Sequence, residues 1–185
     1  MDLIKFAKVR EDAIIPSKEE GNAGYDVYAN FEEDYMIIKP LETAMIPTGI
    51  ASAFSSDYVV VLMERGSTGS KGMARRAGVV DSNFRSEWIA MITNSSNNPL
   101  IISKLTLEEL IEKYGNENSD DVSIKDSDDT ISLYLTNPTI YPYNKAICQA
   151  LILPSPTLGV AEISYEELKT IPSNRGDGML GSSGK

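Results

Sequence analysis

The sequence predicts an all-β protein, a sandwich, barrel or jelly roll. Three observations carry that expectation. Short apolar runs recur between clusters of Gly, Pro, Asn, Asp and Ser, the rhythm of many short strands joined by turns. No internal repeat or low-complexity stretch interrupts this rhythm. The chain has 185 residues, 42% hydrophobic and 24% charged, enough for one well-filled core with an elaboration.

Along the chain, strands are expected at Tyr35–Ile38, Thr43–Ile46, Tyr58–Met63, Trp88–Thr93 and Ile147–Leu153, the last closed by Pro154. One region departs from the rhythm. Thr106-Leu-Glu-Glu109 is a capping-box pattern, hydroxyl and carboxylate placed to bond each other's backbone amides, leading into Leu107, Leu110, Ile111 and Tyr114. With Gly115 as the stop, it predicts a helix of about two turns at ~3.6 residues per turn. Beyond the acidic stretch Asn116–Asp121, Val122–Ile124 and Thr130–Leu135 flank Asp126-Ser-Asp-Asp129 and predict a hairpin. Helix and hairpin lie between Ser95-Ser-Asn-Asn-Pro99 and Asn137-Pro138 and read as an insertion. The expected plan is a β core over 1–98 and 138–172, an insertion over 99–137, and a glycine-rich arm over 173–185. A second short helix is expected around Tyr165–Lys169.

Composition excludes several kinds of chemistry. There is no histidine, which removes imidazole bases, His-based triads and most zinc sites. Acid–base work must rest on carboxylates, and metal binding on oxygen ligands. A net charge of -10 opposes non-specific nucleic-acid binding. It leaves room for a phosphorylated small molecule arriving with a divalent cation. The single Cys148 precludes an intramolecular disulfide and suits a reducing cytoplasm. No apolar run approaches a membrane span, and Met-Asp-Leu-Ile-Lys at the start lacks the signal-peptide pattern, so a cytoplasmic location is expected.

Five segments carry the polar groups a phosphorylated ligand needs. Arg65-Gly-Ser-Thr-Gly-Ser-Lys71-Gly72 puts hydroxyls and two cations in one loop after a buried strand, but its spacing is not that of a P-loop. Gly78-Val-Val-Asp81-Ser-Asn-Phe84 reads as a hairpin tip; Asp81 is either a turn residue or a carboxylate able to deprotonate a water. Phe84 suits a core position or a platform for a sugar or base. Asp26, in Ala23-Gly-Tyr-Asp26, is a loop carboxylate beside a glycine. Gln149 is a lone amide in an apolar run and needs a partner, from the backbone or a ligand phosphate. The tail Arg175-Gly-Asp-Gly-Met-Leu-Gly-Ser-Ser-Gly184 offers a guanidinium, hydroxyls and amides for an anion, though such termini are also commonly disordered.

In this order, the five segments resemble the five ordered motifs of the trimeric dUTPase family, with a phage-type extra segment between the third and fourth. The resemblance runs from about Ile15 to the end, apart from the insertion. It implies a jelly-roll-like β-clip subunit in a homotrimer, with sites at subunit interfaces and the arm closing over a neighbour's site. The implied reaction is Mg²⁺-dependent hydrolysis of dUTP to dUMP and pyrophosphate, which limits uracil in DNA and supplies dUMP. By the same resemblance, Asp81 activates the attacking water and Phe84 packs on the deoxyribose. Uracil pairs with main-chain groups of Gly78, Val79 and Val80. Arg65, Gly66, Ser67 and Gln149 line the phosphates, and Asp26 supports the metal through water. Arg175, Gly181, Ser182 and Ser183 clamp the ligand from the arm, where Leu180 covers the base.

Several positions depart from the family pattern. Gly66 replaces the usual Ser, Phe84 the usual Tyr, and Met179-Leu180 the usual Gly-aromatic pair, so the arm has no ring to stack on uracil. Asn144-Lys-Ala146 replaces the usual Gly-acid-Arg, and the stretch from Lys71 to Asp81 is short, leaving Arg75 and Arg76 without an assigned role. The insertion adds roughly 40 residues, well above ordinary loop lengths. Relatives with such a segment include some that bind regulatory proteins through it, and the acidic Asp120–Asp129 stretch would favour a basic partner. Two rival readings are a dCTP deaminase, which would need a glutamate placed for chemistry at C4, and a nucleotide-gated binding protein acting through the insertion. A phage-encoded protein would work in the bacterial host cytoplasm.

Overall fold

The computed structural model describes residues 3–114, 123–125, 132–134 and 138–174. The chain divides into two units, Met1–Ser155 and Pro156–Lys185. In the first, the strands in order are β1 (Lys5–Lys8), β2 (Tyr25–Val27), β3 (Tyr35–Ile38), β4 (Thr43–Pro47), β5 (Ile50–Ala53) and β6 (Tyr58–Met63). A short helix α1 (Gly66–Gly69) precedes β7 (Met73–Arg76), β8 (Val79–Val80), β9 (Ile89–Asn94) and β10 (Leu100–Ser103). Helix α2 (Leu107–Tyr114), the pair β11 (Ser123–Lys125) and β12 (Ser132–Tyr134), then β13 (Thr139–Pro142) and β14 (Cys148–Pro154) complete the unit. The predicted all-β class holds.

The sheets are β1-β5, β13-β10-β3, β11-β12, β2-β14-β6-β8 and β4-β9-β7. Side chains alternating inward from them make one core, including Val27, Ile38, Ile46, Ile50, Val60, Trp88, Ile92 and Ile147. Trp88 is buried, donates Nε1–H to Ser52 Oγ at 3.1 Å, and meets the Phe6 ring edge-on at 5.4 Å between centroids. It lies just before β9, which starts one residue later than the sequence suggested. Cys148 is buried, and burial pushes its thiol up to about 12, so it behaves as a small apolar group.

The four-stranded sheet does most to position polar groups. In β14, Gln149 lies opposite both Asp26 of β2 and Met63 of β6. On the other side of β6, Val61 faces Val79 and Val60 faces Val80. The two flanks of one strand therefore carry the Asp26–Gln149 row at its Met63 end and the Asp81 turn at its Tyr58 end.

The expected insertion is corrected at its start. Leu100–Ser103 is wholly buried and forms the middle strand of its sheet, antiparallel to β3 and parallel to β13. Adjacent parallel strands need a crossover of a dozen or more residues, and residues 104–138 supply it. The helix and hairpin of the expected insertion thus lie in the connection from β10 to β13.

Within that crossover, the predicted helix forms as α2. Glu109 Oε2 accepts from the Thr106 amide at 2.7 Å, and Thr106 Oγ1 accepts from the Glu109 amide at 3.2 Å. The predicted hairpin is the antiparallel pair β11–β12. Gly115, Asn116–Asp121 and Asp126–Asp129 lie outside the described residues. Helix α2 is fastened to the core sheet: Leu110 is buried against Ile101, with Tyr35, Ile37, Tyr114 and Ile140 around them. Asp34 accepts from Lys113 Nζ at 2.5 Å and from the Tyr114 hydroxyl at 2.6 Å.

In the second unit, helix α3 (Tyr165–Thr170) is capped by Ser164, whose Oγ accepts from the Glu167 amide at 3.1 Å; none of its residues is buried. It matches the short helix expected at Tyr165–Lys169. No helix among the described residues is long and apolar enough to cross a membrane.

The Asp34 cluster makes the docking of α2 pH-dependent. Hydrogen bonds from Lys113 and then Tyr114 hold the Asp34 carboxyl below its ordinary range. The same bond from Lys113 to Asp34 raises the Lys113 ammonium. The Asp34 contribution is complete above its unfolded value near ~3.9 and disappears as pH falls through the lowered one; the Lys113 contribution is complete below ~10.4 and disappears as pH rises through the raised one. The difference in thermal midpoint between the native chain and Asp34→Asn should therefore be flat between about pH 5 and pH 9 and shrink as pH falls below ~3.9. A difference that persists unchanged into acid would contradict the assignment.

Candidate functional site

The candidate phosphate site is built where β2, β6 and β14 end together. The chain leaves β6 through Glu64 and turns sharply at Arg65 into α1. The sequence predicted a loop here, because Gly, Ser and Thr are poor helix formers. The turn is held by Thr68, fully buried, whose Oγ1 accepts from the Arg65 amide at 2.9 Å and donates to the Arg65 carbonyl at 3.0 Å.

That turn directs the Arg65 guanidinium across to β2. Its Nε lies 2.9 Å from Asp26 Oδ1, and its Nη2 donates to Oδ2 at 3.2 Å, a two-pronged ion pair. Nη1 makes only long contacts, 3.4 Å to Ser67 Oγ and 3.4 Å to the Ala146 carbonyl. Both side chains are about a third exposed, 30% for Arg65 and 32% for Asp26, so an entering anion can reach them. Beneath them the buried Tyr141 donates its hydroxyl to the Ala146 carbonyl at 2.6 Å, and burial raises its pKa.

Gln149 has a backbone partner. Its Nε2 donates to the Glu64 carbonyl at 2.7 Å, tying β14 to the entry of α1. Gly24 permits this, since a Cβ there would lie 2.5 Å from Gln149 Oε1 and 2.9 Å from its Cβ. At Gly66 a Cβ would meet open space, so the absence of the usual Ser hydroxyl is not a packing requirement. A shallow cavity of about 460 Å³ is lined by Gly24, Asp26, Arg65, Gly66, Ser67 and Gln149. These predicted residues are brought together.

Asp81 and Phe84 belong to a different place. They form the turn after β8, in which the Phe84 amide donates to the Asp81 carbonyl at 3.0 Å. Arg85 pins this turn, donating Nη1–H to the Ser82 carbonyl at 2.6 Å and to the Phe84 carbonyl at 3.0 Å. Phe84 is 41% exposed and Val79 67% exposed, so neither packs in the core, and both present apolar surface beside Gly78 and Val80. Asp81 lines a second cavity of about 460 Å³ with Tyr58, Val59, Ser82 and Asn83, sharing no residue with the first. Continuing the β6–β8 register sets Asp81 opposite Val59. From Val59 to Arg65 is about six residues at ~3.3 Å each, or roughly 20 Å. One subunit alone does not bring Asp81 to the Arg65 cavity.

Sequence reasoning missed Glu64 and Arg85. Glu64 Oε1 accepts from the Arg75 amide at 2.7 Å, the chief reason its carboxyl is held below its usual range. Each works through backbone groups, for which a sequence carries little signal. Arg76 donates Nε–H to Thr93 Oγ1 at 3.0 Å, a structural role. Arg175, Leu180, Gly181, Ser182 and Ser183 lie outside the described residues.

Among the described residues no cluster of three or more His, Cys, Asp or Glu side chains could hold a metal. The one carboxylate at the Arg65 cavity is paired with an arginine. This donor set does not fit a resident metal ion. It does fit a Mg²⁺ that keeps its waters and arrives on a ligand's phosphates.

The contact between Gly24 and Gln149 gives a direct check. Gly24→Ala should cost about 1–3 kcal/mol in a urea unfolding experiment, because the amide must move and lose its bond to Glu64. In a Gln149→Ala background the same change should cost well under ~1 kcal/mol. Equal costs in both backgrounds would show that Gln149 is not what Gly24 accommodates.

Comparison with known proteins agrees with this architecture. The dUTPase family model matches residues 10–106, which run from before β2 through β10. The deoxyuridine 5'-triphosphate nucleotidohydrolase of Fusobacterium nucleatum is 33% identical over 102 residues, covering 52% of this chain and 69% of that protein. The enzyme of the same name from Finegoldia magna is 30% identical over 114 residues, covering 59% and 79%. Among solved structures, the dUTPase of Staphylococcus bacteriophage 80alpha with dUPNHPP superposes with a TM-score of 0.68 at 20% identity over 99% of each chain. That of phage phi11 of S. aureus superposes at 0.62 and 18% identity, over 87% of this chain and 96% of that one. The match to the family model and to these relatives establishes that the chain belongs to the dUTPase family.

Proposed function

We propose that the protein is a dUTP diphosphatase: it hydrolyses dUTP to dUMP and pyrophosphate. Membership of the family, with relatives named as deoxyuridine 5'-triphosphate nucleotidohydrolases, supports the activity. The single observation that supports the chemistry is the pair of partly exposed cavities, one lined by the Arg65 guanidinium and the Ser67 hydroxyl, the other by the Asp81 carboxylate.

The separation of Asp81 from Arg65 suits a homotrimer in which each site is completed by a second copy. One copy contributes Asp81, Phe84 and the Gly78–Val80 main chain; another contributes Arg65, Ser67, Gln149 and Asp26. In a closed cyclic assembly every such heterologous contact is repeated, so no site is left half-built. The arm, with Arg175, Ser182 and Ser183, would close over the phosphates, and Leu180 over the base.

In the proposed reaction the Asp81 carboxylate takes a proton from a water whose oxygen attacks the α-phosphorus. The bond from that phosphorus to the bridging oxygen of the β-phosphate breaks, and pyrophosphate leaves. Arg65 Nη1, with only long contacts of 3.4 Å, is the donor left for a phosphate oxygen, while Nε and Nη2 hold the group in place through Asp26. Bound to the triphosphate, Mg²⁺ would neutralise charge, with Asp26 orienting one of its waters. Phe84, on its exposed face, would hold the deoxyribose and leave no room for a 2′-hydroxyl. The proposal extends to a regulatory protein bound through the β10–β13 crossover. Because α2 is fixed by Leu110 and Asp34, that region offers a defined platform. A deaminase reading has no support from the named relatives.

The role of Asp81 is tested by Asp81→Asn. Pyrophosphate release from dUTP should fall by about 10²–10⁴-fold, the usual worth of a positioned base, while dUTP binding measured by calorimetry stays within a few-fold. Turnover close to that of the native chain would remove Asp81 from the mechanism.

A further inference from the structure

Beneath Arg65 and Asp26 lies a buried phenol. Tyr141 is 1% exposed and is fixed by β13, where it stands opposite Ile102 of β10. After Pro142 the chain turns back on itself, the Lys145 amide donating to the Pro142 carbonyl at 3.0 Å. That turn returns the chain to the phenol five residues on, and the Tyr141 hydroxyl donates to the Ala146 carbonyl at 2.6 Å. Ala146 is itself buried, just before β14.

The same carbonyl faces a second donor. Arg65 Nη1 lies 3.4 Å from it and 3.4 Å from Ser67 Oγ, both at the weak end of hydrogen bonding. The rest of the guanidinium is committed, with Nε 2.9 Å and Nη2 3.2 Å from the two Asp26 oxygens. Burial raises the pKa of the Tyr141 hydroxyl, while the Arg65 charge, then hydrogen bonding with Arg65 and Ser67, opposes that rise. The phenol therefore sits among the groups that decide where Nη1 points. A buried carbonyl needs a donor, and leaving it without one costs more than an ordinary bond returns. Here the hydroxyl supplies that donor at short range, so the guanidinium need not. Without the hydroxyl, Nη1 would have to move inward by only about 0.5 Å to reach an ordinary length of ~2.9 Å.

We propose that Tyr141 is a positioning residue of the phosphate site: its hydroxyl occupies the Ala146 carbonyl and so leaves Arg65 Nη1 for a phosphate oxygen. This deepens the dUTP reading and rests on it. Tyr141 is too deeply buried to touch the substrate, and it acts through Arg65 alone. Asp26 fixes the direction of the guanidinium plane; Tyr141 decides which acceptor its remaining edge can take. A guanidinium has no lone pair to offer, so every acceptor that captures Nη1 competes directly with the ligand. The strand that carries Tyr141 follows the crossover, and its parallel pairing with β10 thereby sets a donor in the site.

The test is Tyr141→Phe in the full-length protein, which keeps the ring and removes only the hydroxyl. KM for dUTP, followed by pyrophosphate release, should rise about 10-fold, the worth of one charge-assisted hydrogen bond, while kcat stays within about 3-fold. Calorimetric binding of the dUTP analogue dUPNHPP should weaken by the same factor. In an Arg65→Ala background the same substitution should change that binding by less than about 2-fold, because no Nη1 remains to be captured. A crystal structure of Tyr141→Phe should show Nη1 drawn in to ~2.9 Å from the Ala146 carbonyl. An unchanged KM, a fall in kcat alone, equal weakening in both backgrounds, or failure of Tyr141→Phe to fold would each overturn the proposal, the last two by making the hydroxyl a purely structural group. If the native chain itself releases no pyrophosphate from dUTP, the underlying dUTP reading fails, and this proposal with it.

Discussion

The pairing of β6 with β14 on one edge and β8 on the other sets the position of every candidate site residue in the described chain. From the β14 side come Gln149 and, through it, Asp26. From the β8 side come Gly78, Val79, Val80 and the turn bearing Asp81. β6 itself delivers Glu64 and Arg65 as it ends. A slip of one residue in either pairing would turn these side chains to the opposite face, so the buried alternation of Val60 and Leu62 specifies the site as well as the core. The same strand holds the Asp81 turn and the Arg65 cavity at opposite ends, and a single subunit does not unite them.

The local electrostatics follow from this geometry. A chain of net charge -10 must bind a polyanion, and it concentrates cationic groups where backbone and side-chain bonds fix them. Arg65 is held by Asp26 with Nη1 making only long contacts; Arg85 is spent on pinning the Asp81 turn; the terminal nitrogens of Arg75 are buried against Gly78. Three arginines on adjoining elements thus do three different things, decided by which acceptors lie within reach. Because each is anchored before a ligand arrives, little reorganisation remains for the binding step.

The strand rhythm, the span of β6 and the capping box of α2 were legible because each depends on residues close in sequence. The Thr106–Glu109 pair bonds as its spacing predicts. β10 was not: its partners, β3 and β13, lie far away in sequence, and its four residues look like the edge of a loop after Asn-Pro99. Nor was α1, whose residues disfavour helix and form one only because the Thr68 hydroxyl closes the turn. The site residues were identifiable by type and order, but their partners were not. Gln149 bonds a carbonyl 85 positions away, and Asp26 meets an arginine 39 positions on. Such contacts are products of sheet register, which local pattern does not encode.

The central claim is that Asp81 and Arg65, at opposite ends of β6, act on one substrate only across a subunit boundary. Mixed assembly tests it most directly. Asp81→Asn and Arg65→Ala chains, each inactive alone, are co-assembled in equal amounts and assayed for pyrophosphate release from dUTP. Random assortment joins an intact Asp81 to an intact Arg65 from another chain in about a quarter of sites, so activity should return to about that fraction of the native level. Activity no higher than that of the separate variants would contradict the claim and place the whole site within one chain.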